Sequence, residues 1–143
     1  MFSLKTSSIG VVAVCMLFVS GCGSPARVKT TNELKAIGLA YHNFNDSNNK
    51  GPTRAEDLEP FLKDWPEAYQ HVKDGTYVFI WNVSVVDMAK AGGSHLYVLA
   101  YPKDAPEKGG PVLFGDGSVM QMTADEVKKA KKADTAKSKG GAP

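Results

Sequence analysis

Cysteine is nearly absent from this chain of 143 residues: Cys15 and Cys22 stand near the start and none follows. A disulfide framework or a cysteine-held metal in the body of the protein is therefore excluded. Charge of one sign is missing as well. Lys and Arg number 17 against 15 Asp and Glu, a net of +2, which leaves no basic excess for a nucleic-acid partner. Long apolar runs are also lacking. Residues 9–19, IGVVAVCMLFV, are eleven residues, against about 20 for a helix that spans a bilayer. The histidines His42, His71 and His95 share no metal-ligand spacing such as HExxH. No Gly-x-Ser-x-Gly elbow or phosphate-cradling glycine loop accompanies them. His95, Asp116 and a serine supply the residue types of a triad, but nothing in the sequence joins them. Asp104, Glu107 and Asp116 are too few and too scattered for calcium, which takes about six to eight oxygens. No cofactor, metal or catalytic residue is expected.

What is present begins with the N-terminus. Lys5, the apolar run of 9–19, and the small residues Ser20 and Gly21 have the layout of a secretory signal. Val19-Ser20-Gly21-Cys22 resembles the lipobox of bacterial lipoproteins. The resemblance implies cleavage before Cys22, with lipid attached to the Cys22 thiol. Gly23 in place of an acidic residue after that cysteine hints at outer-membrane sorting. The expected division is a signal peptide over 1–21, a lipidated cysteine and short tether over 22–29, a domain over 30–127, and a lysine-rich disordered tail over 128–143.

Residues 30–48 read as one amphipathic helix. Leu34, Ile37, Tyr41 and Phe44 fall on one stripe. Thr30 and Glu33 have the spacing of a capping box, and Asn45 to Asn49, then Gly51-Pro52, end the helix with turn formers. Thr53 and Glu56 repeat the box, with Pro60 as a breaker. Pro66 suits the first position of a further helix, and Asp74-Gly75 its end. From Thr76 the period changes. Residues 76–83 and 95–101 read as strands, 84–93 as a short helix or a loop, and 102–111 as a loop. Asp116-Gly117 between two apolar runs is the preferred chemistry of a tight type I′ hairpin. Thr123 and Glu126 form a third capping-box pattern. Lys128, Lys129, Lys131 and Lys132 should be solvated.

LKAIGLAYHNFNDSNNKGP and VLFGDGSVMQMTADE resemble two stretches of the pseudopilin-like proteins of planctomycete bacteria. In that family an LKQIGLALHNYHD-type helix precedes a Gly/Pro turn, and a DGSV hairpin lies near the C-terminus. The resemblance implies a pilin-like α+β module, with the helix packed on an antiparallel sheet of about four strands. The chain departs from the family at its start. It has no early glutamate in a long apolar helix, and Gly21 to Pro25 interrupt the passage from the apolar run to the domain helix. The histidine that the family often places shortly before the DG turn is also missing, with Glu107 and Lys108 in that neighbourhood.

The expected protein is thus exported and held to a bacterial membrane through Cys22. It would be a structural or interaction module of the cell envelope with a protein partner, and not an enzyme. Asp116 and Gly117 are expected to serve the turn. The alternatives are a ligand- or calcium-binding envelope module and, behind it, a hydrolase.

Overall fold

The computed structural model describes residues 24–139. Cys22 and the signal stretch lie outside the described residues. The chain is α+β. Helix α1 (Pro25–Asn48) is followed by a 3₁₀ helix (Ala55–Phe61), α2 (Pro66–Lys73), β1 (Tyr77–Phe79), α3 (Val85–Lys90) and a single 3₁₀ turn (Ser94–Leu96). Then come β2 (Val98–Pro102), α4 (Ala105–Lys108), β3 (Gly110–Phe114), β4 (Val119–Met122), α5 (Ala124–Lys129) and a last 3₁₀ helix (Ala133–Lys139). The strands form one antiparallel sheet in the order β1-β2-β3-β4. Among the described residues no helix is long and apolar enough to cross a membrane.

The sheet buries both faces, as the alternation of its side chains requires. Leu99 and Leu113 point to one side with Tyr77 and Phe79, and there they meet Leu34, Ile37 and Tyr41 of α1. Val98, Val112 and Phe114 point to the other side, where Ala105 of α4 and Val127 of α5 cover them. Leu34, Ile37 and Tyr41 are fully buried, each contributing about 1.5–3 kcal/mol by leaving water.

Several expectations meet their physical limits here. The helix starts at Pro25 rather than at Thr30, with Pro25 at its first position, where a missing N–H costs nothing. The tether of 22–29 therefore ends at Ser24. Thr30 and Glu33, being interior, form no capping box. The Thr30 hydroxyl donates to the Ala26 carbonyl at 2.9 Å instead, and Glu33 turns inward. At the other end Asn49 takes a left-handed conformation and its N–H closes on Asn45, as an asparagine C-cap does. The second box also fails, because the segment winds as a 3₁₀ helix. Asp57, not Glu56, accepts from the Thr53 N–H at 2.8 Å and from its hydroxyl at 2.9 Å. Pro66 does open α2, and Thr123 with Glu126 does form a reciprocal capping box on α5.

The strand expected over 76–83 stops at Phe79. Asn82 has a positive φ of 62° and its N–H bonds the Pro52 carbonyl at 2.7 Å, which turns the chain out of the sheet. The second strand begins at Val98 because Ser94–Leu96 form a 3₁₀ turn. The ambiguous stretch resolves as α3, capped by Ser84 and Asp87 in a box of their own. The loop of 102–111 contains α4 and the start of β3.

The tail is ordered well beyond Val127. Ala133 and Ala136 are fully buried in the α1-side core, and the Val98 N–H donates to the Lys131 carbonyl at 2.8 Å. Lys132 is not simply solvated. Its ammonium donates to the Val127 carbonyl and stands 4.7 Å over the Tyr101 ring. Burial holds it below the ordinary lysine range.

Candidate functional site

The two stretches that carry the family resemblance meet in space. Gly38 of α1 faces β3 and the hairpin so closely that an added Cβ would stand 2.9 Å from Leu113 Cδ1 and 3.4 Å from the Gly117 Cα. One turn on, the His42 ring lies beside Gly117 and edge-on to Tyr41, with ring centroids 5.4 Å apart. His42 Nε2 is buried with no hydrogen-bond partner among the described residues. The helix glycine thus lets the backbone of α1 approach the sheet.

Asp116 and Gly117 do make the turn, but not as type I′. Gly117 has φ +85°, and Asp116 is not among the residues of positive φ. The Phe114 N–H bonds the Ser118 carbonyl at 2.9 Å, and the Gly117 N–H bonds the Phe114 carbonyl at 3.0 Å. Gly115, Asp116 and Gly117 are therefore a three-residue loop, a tight turn followed by a glycine bulge. Asp116 Oδ1 accepts from the Ser118 N–H at 2.9 Å and from its hydroxyl at 2.6 Å. Burial pushes the Asp116 carboxyl up, but these two bonds outweigh it and hold the group below its ordinary value, with His95 adding a smaller pull. His95, Asp116 and Ser118 thus share a neighbourhood. The serine hydroxyl donates to the carboxylate itself, so the serine-to-imidazole bond of a triad is not in place.

The most unusual polar cluster lies elsewhere, under the N-terminal half of α1. Glu33 is 3% exposed. Its Oε2 accepts from the Tyr77 hydroxyl and lies 2.9 Å from His71 Nδ1. Burial first, and then the neighbouring Glu33, raise the Tyr77 phenol far above its ordinary range, so that it remains a donor. Glu33 Oε1 lies 3.8 Å from Lys29 Nζ and has no hydrogen-bond partner among the described residues. A groove of about 760 Å³ opens here between α1, the start of β1 and the β3–β4 end of the sheet, lined among others by Arg27, Glu33, His71, Tyr77, Lys108 and Gln121. Sequence reasoning placed Glu33 in a cap and left His71, on the short helix that Pro66 opens, without a partner. A charged residue on the apolar side of α1, next to Leu34 and Ile37, was the available signal.

Among the described residues no three His, Asp or Glu gather in a way that would hold a metal ion. Asp104 is paired with Lys108 at 3.1 Å, apart from the hairpin role of Asp116. Cys22 lies outside the described residues. No family model matches this chain, and neither a curated protein nor a solved structure matches it.

Proposed function

We propose that this protein is a lipoprotein anchored through Cys22, whose pseudopilin-like domain serves as a structural or interaction module at the cell envelope. One observation carries the reading. The two stretches that resemble the family lie far apart in sequence and pack on each other through Gly38, Leu113, His42 and Gly117. That is the packing of a first helix on an antiparallel sheet which the resemblance implies. The start of α1 at Pro25, two residues beyond Gly23, supports a lipid anchor over a filament-forming helix. The test is the intact mass of the protein extracted from membranes, beside Cys22→Ser. The expected result is a chain that begins at Cys22 and carries acyl mass, with both features lost in the variant. A full-length chain without acyl mass overturns the anchor.

A second reading, capture of a small ligand, is favoured by the groove beside Glu33 and by a carboxylate oxygen there that has no hydrogen-bond partner among the described residues. It predicts a rise in melting temperature with a compound carrying a primary amine, and loss of that rise in Glu33→Gln.

A further inference from the structure

Exposed apolar side chains are few, and two of them stand together at the start of α1. Val28 is 53% and Trp65 is 44% exposed. Both line a shallow cleft with Pro25 and Pro66. We propose that this Trp65–Val28 face rests on the lipid surface into which the Cys22 acyl chains insert. The inference depends on the lipoprotein reading and goes beyond it, since an anchor alone leaves the orientation of the domain free.

Chain length makes the argument. Pro25 is three residues from Cys22, and three residues reach about 11 Å at full extension. An anchored Cys22 therefore keeps the first turn of α1 within that distance of the acyl chains. Trp65 stands just before α2 and shares the cleft with that first turn. An indole has an apolar body and one N–H donor, which suits the boundary between headgroups and acyl chains. Prolines 25 and 66 widen the apolar ring around it.

Charge leaves the contact to the apolar groups. Lys29, which also lines the cleft, is paired with Glu67, and Asp64 adds a negative charge to the rim. Glu33 also lines the cleft, so acidic groups outnumber basic ones there and headgroup charge does not draw this face to the membrane. The other exposed apolar groups sit elsewhere. Val86, for one, follows Val85, whose N–H bonds the Asn45 side chain at the far end of α1.

The experiment uses the acylated protein extracted from membranes and reconstituted in phosphatidylcholine vesicles that contain lipids brominated near the glycerol end of the chains. Intact mass establishes acylation first. Trp81→Phe leaves Trp65 as the emitter, and Trp65→Phe leaves Trp81. The expected result is blue-shifted emission from Trp65 that loses most of its intensity to the brominated lipid. Trp81, packed on Phe79, should keep its emission. Anionic lipid should not strengthen the quenching. If Trp81→Phe unfolds, the difference between wild type and Trp65→Phe gives the same comparison. Unquenched Trp65 in acylated, vesicle-bound protein overturns this inference and leaves the lipoprotein reading standing. A chain without acyl mass overturns both.

Discussion

Toward its N-terminus α1 meets the sheet through Glu33, Tyr77 and His71 beneath an open groove. Toward its C-terminus it meets neighbours through close approach. Gly38 lies against Leu113, the Tyr41 hydroxyl donates to the Val83 carbonyl at 3.0 Å, and Asn45 accepts from the Val85 N–H at 3.1 Å. Nearby, Gly51 lies so close to Val83 that any side chain would overlap its backbone. One half is held by a polar cluster whose members can be exchanged together. The other is held by close approach, tightest where Gly51 meets the Val83 backbone, and by two hydrogen bonds to residues 83–85.

The sharpest way to break the second half is Gly51→Ala. The added methyl strikes the Val83 backbone rather than a movable side chain, so the expected loss is about 3 kcal/mol in urea unfolding. Gly38→Ala sharpens the point. It meets the flexible end of Leu113 and gains about 1 kcal/mol of helix propensity. A large loss there would show that the helix backbone itself cannot withdraw.

Glu33→Ala should cost about 1–3 kcal/mol, because the buried Tyr77 hydroxyl is left without its acceptor. Glu33→Leu combined with Tyr77→Phe should recover most of that loss, since donor and acceptor disappear together. A double variant as weak as the sum of its parts would count against exchangeability. Removal of residues 131–143 should cost about 2 kcal/mol through the Val98 bond and the burial of Ala133 and Ala136, as read by thermal unfolding.

Acid should act on both halves alike. The Thr53 backbone N–H holds Asp57 below its ordinary value, and the Thr123 N–H does the same for Glu126. A carboxyl whose folded value is depressed stabilises the fold above its unfolded value, near about 4, and that contribution fades as pH falls through the folded value. Melting temperature should therefore hold between neutral pH and about 5 and decline below about 4. Asp57→Asn should flatten part of the decline. The smallest effect is expected at Trp65. Trp65→Ser gives up the packing of a partly covered indole but places a favourable N-cap serine before α2. Stability should therefore change by about 1 kcal/mol or less while the lipid contact is lost, which separates its role from those of Gly51 and Glu33.

Local chemistry was legible in the sequence. Pro66 opens its helix, and the Thr123–Glu126 box closes on itself, because both depend only on neighbours within one turn. The apolar stripe of α1 and the four-stranded antiparallel sheet were legible for the same reason of period. Thr30 and Glu33 have the same spacing as a true box, but five more residues upstream continue the helix, and Glu33 finds its partners 38 and 44 residues away. Spacing alone carries no information about such partners. The hairpin was misread by one residue, because Gly115 joins Asp116 and Gly117 in the loop. In the tail, the buried alanines lacked enough apolar bulk to announce a packed segment. The groove has no local pattern at all, being made by elements from both ends of the chain.

The sheet order, β1-β2-β3-β4, follows the chain, and this has a consequence for how the molecule assembles. Each strand pairs with the next in sequence. β2, β3 and β4 close through short connections at small entropic expense, while β1 joins β2 across residues 80–97, which hold α3. Helix α1 is the exception. It precedes every other described element, yet its partners Leu113 and Gly117 lie about 75 residues further along the chain. Until the hairpin exists, Leu34, Ile37 and Tyr41 have only the β1–β2 part of the sheet, with Phe79 and Leu99, to cover them. Docking of α1 on the hairpin is then the long-range step that completes the core.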